Sequence, residues 1–225
     1  MKLILANLVV GILLIYLGCS AGGLGLMVAW LGVGFILTGL GYAGIDARIY
    51  GKNETGDFPW WSIMLYMPFF CYTLATWHVV QCLIRERSYD WITGDLIVGR
   101  RLWKREYPEN VQIVVDLTAE FHEPKSVIEN IAYISLPILD GHIPEIHRMN
   151  DALDKLTSGI TYIHCGQGHG RSGLIAALLL ARQGIIRTPQ EAILLLKSKR
   201  PKLGLTAKQF EFLCQQMQQY QQKQR

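Results

Sequence analysis

Hydrophobic positions are spread unevenly along the chain. Residues 3–45 and residues 58–84 contain no Asp, Glu, Lys or Arg, whereas residues 85–225 mix polar and apolar positions in the ordinary way. A membrane-spanning helix needs about 20 apolar residues. The first run is long enough for two, with a break where small residues gather at Gly18-Cys19-Ser20-Ala21-Gly22-Gly23. The pattern predicts transmembrane helices at about 3–17, 21–45 and 58–84. Gly32, Gly34, Gly39 and Gly41 would let the second helix pack closely on a neighbour. Trp60, Trp61 and Tyr66 near the start of the third suit an interfacial aromatic belt. Residues 1–85 therefore read as a membrane region. Residues 86–225 read as a soluble domain, long enough for its own core.

Within the soluble part the period of the pattern changes repeatedly. Alternation at 89–99 around Thr93-Gly94-Asp95 predicts a short hairpin. The β-branched run 111–117, the run 131–139 and the apolar run 159–163 predict strands. Residues 102–106 form part of a short helix and 145–156 a longer one. Residues 173–180 are apolar on all sides and predict a buried helix. Thr188-Pro189-Gln190-Glu191 is a capping signature for a helix over 190–199, which Arg200-Pro201 stops. A last helix at 206–219 carries Phe210, Leu213 and Met217 on its apolar stripe. The glutamine-rich stretch 215–225 is expected to fray.

One stretch carries chemistry: Ile163-His164-Cys165-Gly166-Gln167-Gly168-His169-Gly170-Arg171-Ser172-Gly173. It joins a buried strand to an apolar helix through a loop with glycine at 166, 168 and 170. Such a loop curls tightly and points successive N–H groups inward, and the helix start adds its own unpaired N–H groups. This is an anion site, and phosphate is its usual guest. Amide dipoles and a nearby cation favour the thiolate of Cys165, a nucleophile beside bound phosphorus. Arg171 offers a planar fork for two phosphate oxygens. Ser172 can donate to the sulfur and help it leave.

His164-Cys165-x-x-Gly168-x-x-Arg171-Ser172 resembles the signature of cysteine-dependent protein tyrosine phosphatases, and the flanks resemble the compact dual-specificity branch. The resemblance implies an α/β fold with a central mixed sheet flanked by helices. It implies a phosphocysteine mechanism without metal or organic cofactor, and catalytic roles for Cys165, Arg171, Ser172 and His164. The phosphate would lie among Gly166, Gln167, Gly168, His169, Gly170 and Arg171. His164 would orient the loop and favour the thiolate. His169 stands where lipid-directed relatives often carry Lys or Arg, so it either senses a second substrate charge or is exposed. The family keeps its general acid on a loop just past a strand, which points to Asp140, with His142 a weaker alternative. In the resembling family the 111–117 strand ends near the catalytic mouth, so Asp116 either supports the site from behind or, the favoured reading, serves as a cap or turn residue. Asp151 and Asp154 read as solvated, and Gln209 as structural.

The remaining composition narrows the function. A net charge of +4 without a dense basic patch excludes a nucleic-acid binder. The five cysteines have no CxxC spacing and no His/Cys cluster of the zinc kind. A mean hydropathy of +0.20 reflects the two apolar runs. Arg85, Arg87, Arg100, Arg101, Lys104 and Arg105 follow the third helix. The loop before it holds only Arg48 and Lys52, offset by Asp46, Glu54 and Asp57. By the positive-inside rule the catalytic domain is cytoplasmic, in an inner or plasma membrane. A cleaved signal peptide over residues 1–20, or lipid attachment near Cys19, would reverse that side. The expected function is a membrane-anchored phosphatase acting on phosphotyrosine, phosphoserine or phosphothreonine proteins. Alternatives are a phospholipid phosphatase for phosphatidylglycerophosphate or phosphoinositides, a non-catalytic phosphate-binding module, and a rhodanese-like sulfurtransferase.

Overall fold

The computed structural model describes residues 2–125, 131–156 and 158–223. The backbone divides into two compact units, Met1–Arg85 with Ala119–His122, and Glu86–Thr118 with Glu123–Arg225.

The first unit is built on α1 (Lys2–Ala21), α2 (Gly25–Leu40) and α3 (Trp60–Leu83). Three helices here are long and apolar enough to cross a membrane, the second counted on through Tyr50. The break after α1 is narrower than the sequence pattern implied, and α1 reaches Ala21. Only Gly22 and Gly23 turn the chain, with φ of +63° and +51°. Gly18 is a packing position. A Cβ there would lie 2.4 Å from Ala29 N and from Gly25 O. One on Gly32 would lie 2.6 Å from Gly11 O. Between helices in lipid such close backbone approach replaces the hydrophobic drive. Gly34 does the same against Phe69, where an added Cβ would lie 2.6 Å from the Phe69 Cβ. The expected 21–45 helix ends earlier, at Leu40. A π-helical turn, Gly41–Ile45, and a 3-10 turn, Asp46–Tyr50, follow it.

The second unit is a five-stranded sheet of β1 (Tyr89–Trp91), β2 (Leu96–Arg100), β3 (Ile113–Thr118), β4 (Ala132–Ile138) and β5 (Thr161–Cys165). The spatial order is β1-β2-β5-β3-β4. β1 runs antiparallel to β2, and all other neighbours are parallel. Every residue of β3 and β5 is buried, as expected of strands with neighbours on both edges and cover on both faces.

Four α-helices follow among the described residues of this unit: α4 (Ile146–Asp154), α5 (Gly170–Arg182), α6 (Pro189–Lys199) and α7 (Ala207–Lys223). Their apolar residues share one core with Val98, Val115, Ile163 and Cys165, one face of the sheet. Alternate strand residues, Ile97, Val114 and Tyr162, form a smaller cluster with Tyr107 and Tyr133 on the other face. Residues 102–106 contribute only a 3-10 turn, Lys104–Glu106. The glutamine-rich stretch does not fray before Lys223. Gln216 and Met217 are buried, and Gln221 Nε2 donates to Arg187 O at 2.8 Å. Residues 224 and 225 lie outside the described part.

The α1–α2 contact gives a direct expectation. Gly32→Leu forces the two backbones apart and lowers the stability of the detergent-solubilised chain by roughly 1–3 kcal/mol, an overpacking cost. A thermal melt of the full-length protein reads this, and an unchanged midpoint would show that the close approach is dispensable.

Candidate active site

β5, in the middle of the sheet, delivers its last two residues to the carboxyl edge, where α/β sheets place their ligands. Side chains alternate along it. Cys165 joins the helix-side core, whereas His164 lies with Tyr162 on the other face, ring centroids 5.5 Å apart. Cys165 is 3% exposed. The Gly168 N–H donates to its Sγ at 3.2 Å, and Ser172 Oγ lies 3.6 Å away. The loop curls around the sulfur because Gly168 adopts φ +73°. It also needs no side chain there. A Cβ on Gly168 would sit 2.3 Å from the carbonyl carbon of Gly99, the penultimate residue of β2.

Arg171 stands at the other end of the loop, buried at 3% exposure. Its Nη1 donates to Ile138 O at 2.9 Å and its Nη2 lies 3.3 Å from Asp140 Oδ1. The structure thus brings the predicted acid and the predicted phosphate ligand together, although they are far apart in sequence. The Asp140 side chain is 79% exposed. The backbone of its loop is tied to the start of α7: Thr206 Oγ1 donates to Gly141 O at 3.2 Å and Gln209 Nε2 to His142 O at 2.9 Å. Gln209 is fully buried, consistent with its structural reading. The His142 ring faces Lys208, Nε2 to Nζ 2.6 Å.

His169 is half-buried, and an acid faces its ring. Its Nε2 lies 3.0 Å from Glu86 Oε1. Glu86 also meets Arg200 Nη2 at 3.2 Å and Lys202 Nζ at 3.7 Å. Asp151 and Asp154 are surface residues paired with His147 and Arg182.

Two residues were invisible to sequence reasoning. Arg200, read there only as a helix stop, is buried at 1% exposure. Its Nε donates to Gly168 O at 2.7 Å and its Nη2 to Gln167 O at 3.1 Å. Its Nη1 reaches Asp90 Oδ2 at 2.9 Å. Amides that turn inward leave carbonyls turned outward, and Arg200 supplies their donors. The other is Glu123, also 1% exposed.

Glu123 belongs to a polar group behind His164. Arg101 Nε donates to Glu123 Oε1 at 3.0 Å and Tyr107 OH to Oε2 at 3.2 Å. Asp116 Oδ1 accepts from the N–H and hydroxyl of Thr118, at 2.8 and 2.7 Å, so its turn role is real. Its Oδ2 accepts from Tyr133 OH at 2.7 Å. Burial first, then the neighbouring carboxylate, raises the phenols of Tyr107 and Tyr133 far above the usual range, so both remain donors. Asp116, Glu123 and His164 place three possible metal-ligand atoms within 4.8 Å of one another. Every carboxylate oxygen among them already accepts from a protein donor, and Arg101 already places one cation on Glu123.

A model of the family described as PTP-SAK, a Swiss Army Knife protein with a DSP-PTPase phosphatase domain, matches residues 105–222. Protein 197R of Invertebrate iridescent virus 6, which carries a tyrosine phosphatase name, is 41% identical over 95 residues, 37% of this chain. The chain covers about a third of that protein's length, 35%. Among solved structures, PTPMT1 in complex with PI(5)P aligns with a TM-score of 0.55 at 17% identity, over 62% of this chain and 100% of that one. Tk-PTP in its active form aligns with a TM-score of 0.53 at 24% identity, over 58% of this chain and 97% of that one. These two likenesses are of fold.

The place of Arg200 yields a testable outcome. Arg200→Met leaves Asp90 without its buried partner and the loop carbonyls without donors, at a cost of roughly 3–5 kcal/mol in stability. Inhibition by vanadate, a phosphate mimic, should weaken in parallel. A destabilised variant with unchanged vanadate affinity would mean that Arg200 supports the fold but not the loop.

Proposed function

This chain belongs to the PTP-SAK family of DSP-PTPase phosphatase domains, and we propose that within it the chain is a membrane-anchored phosphatase whose nucleophile is Cys165. The observation that carries the reading is the sulfur at the floor of a loop whose Gly168 amide points at it and whose Arg171 closes the rim.

The steps follow from that geometry. The Cys165 thiolate attacks phosphorus, forming an S–P bond as the ester P–O bond breaks. Loop amides from Gly166 to Gly170 and the Arg171 fork hold the equatorial oxygens as charge develops on them. Asp140, beside Arg171 at the mouth, gives its proton to the leaving oxygen. Water then attacks the phosphocysteine, Asp140 takes the proton back, and the S–P bond breaks to release inorganic phosphate. Ser172 steadies the departing sulfur, and His164 supports the loop from behind.

Phosphorylated protein side chains are the first substrate reading. With His169 paired to Glu86, the loop presents Arg171 as its phosphate cation and suits a single phosphoryl group. A phospholipid monoester is the second reading. Three membrane-type helices favour it, as does the fold likeness to a protein solved with PI(5)P. The basic residues after the third apolar helix support a cytoplasmic catalytic domain, with residues 86–225 as the catalytic domain and 1–85 as the anchor.

Cys165→Ser should abolish phosphate release by the full-length protein, and equal release from variant and wild type would overturn the mechanism. Asp140→Asn should slow hydrolysis of an alkyl phosphate by about 10²–10⁴-fold, with a far smaller effect on a good leaving group. Equal slowing of both would place the acid elsewhere. Turnover of a phosphopeptide against phosphatidylglycerophosphate in mixed micelles decides between the substrates. A cysteine introduced at exposed Glu109 should resist an impermeant maleimide in intact cells if the domain is cytoplasmic.

A further inference from the structure

Asp140 stands in a tight turn. The His142 N–H donates to Leu139 O at 3.0 Å, and Gly141, the residue between, takes φ +69°. A closed turn with positive φ at its third position is of type II, and that position favours glycine. The Asp140 side chain is 79% exposed, so packing holds little of it. Where its carboxyl stands is set through the backbone of the turn.

The donors that grip this backbone come from one capping box. Thr206 Oγ1 accepts from the Gln209 N–H at 3.2 Å, and Gln209 Oε1 accepts from the Thr206 N–H at 3.1 Å. This reciprocal pair starts α7 and occupies an acceptor on each side chain. The donors of both side chains turn to the acid loop. The Thr206 hydroxyl donates to Gly141 O at 3.2 Å, and Gln209 Nε2 donates to His142 O at 2.9 Å.

α6 offers a comparison within the same chain. Its box pairs Thr188 with Glu191, whose carboxylate accepts from the N–H groups of Arg187 and Thr188. A glutamate at 209 would cap α7 in the same way, but its carboxylate would turn lone pairs toward the His142 carbonyl. The amide at this position serves the loop as well as the helix. Gln209 also lies against the phosphate loop. A Cβ on Gly170, the first residue of α5, would stand 3.0 Å from Gln209 Oε1. One fully buried side chain therefore meets both halves of the site.

We propose that Thr206 and Gln209 are positioning residues, and that their capping box doubles as a clamp fixing the turn of Asp140 relative to the phosphate loop. The clamp matters in the step that needs the acid. A misplacement of about 1 Å in a reacting group can cost about 10²-fold in rate. The proposal rests on reading Asp140 as the general acid.

The test compares kcat for an alkyl phosphate with kcat for p-nitrophenyl phosphate, whose leaving group needs little protonation, in the full-length chain in detergent. Asp140→Asn should lower the alkyl-to-nitrophenyl ratio. An unchanged ratio there would end the acid reading, and the clamp with it. Where that ratio falls, Thr206→Val and Gln209→Met should each lower it about tenfold, with KM for the alkyl phosphate moving less than about twofold. Thr206→Ser keeps the hydroxyl and should keep the ratio. In an Asp140→Asn background neither substitution should lower the ratio further. Thr206→Val and Gln209→Met that melt earlier with an unchanged ratio would make the box a helix cap only and overturn the proposal. A further fall in the Asp140→Asn background would overturn it too, because the box would then act through something other than the acid. Should the variants fail to fold, hydrogen exchange of the wild type decides. Slow exchange of the His142 N–H, which closes the turn, supports the clamp, and complete exchange within seconds overturns it.

Discussion

A loop that turns its amide groups toward one point must turn its carbonyl groups away, and this constraint governs the second unit. The outward carbonyls of Gln167 and Gly168 face the protein interior, where a missing donor is expensive. Arg200 answers them with two nitrogens, Nε and Nη2, while Nη1 on the same rigid fork holds Asp90, a geometry that a lysine could not reproduce. The charge this buries is balanced in turn by Asp90 and Glu86. Much of what surrounds the loop follows from the need to support its outer side.

The inner side has a separate architecture. β5 presents Cys165 to the helix-side core and His164 to the opposite face, so the two neighbours meet different surroundings. Above the sulfur lie glycine amides and Arg171. Behind it lie two carboxylates, Arg101 and the donor tyrosines. The bulge that shifts the β3–β4 register between Asp116 and Thr118 coincides with the turn in which Asp116 accepts two bonds from Thr118. One acidic residue therefore shapes the strand end and faces the histidine.

What could be read from the chain alone was local. The strand, the glycine loop and the apolar helix occupy 159–182, so their pattern and their chemistry lie in one short window. The place of Asp140 beside Arg171 was anticipated through the resemblance, since an acid just past a strand is a local feature as well. Arg200 and Glu123 were not, since each acts on residues dozens of positions away and resembles any surface charge in sequence. His169 was left open for the same reason. Its partner, Glu86, is 83 residues earlier, where only the edge of an apolar run was visible. At the first turn the composition misled. Gly18 looks like a loop residue, but its lack of a side chain serves helix packing, and the chain reverses at Gly22 and Gly23, where φ is positive.

The distance between the loop and Arg200 has a consequence for how the protein is made. The ribosome delivers the apolar helices first, then Glu86, then Cys165, and only later Arg200, 32 positions beyond Gly168. Until that last arginine emerges, the carbonyls of the nascent loop have only water to satisfy them, and its curl is unsupported. The loop therefore gains its arginine support late in translation, after the membrane-type helices have been synthesised. A chain truncated before Arg200 would keep the whole signature of the loop without the support that shapes it.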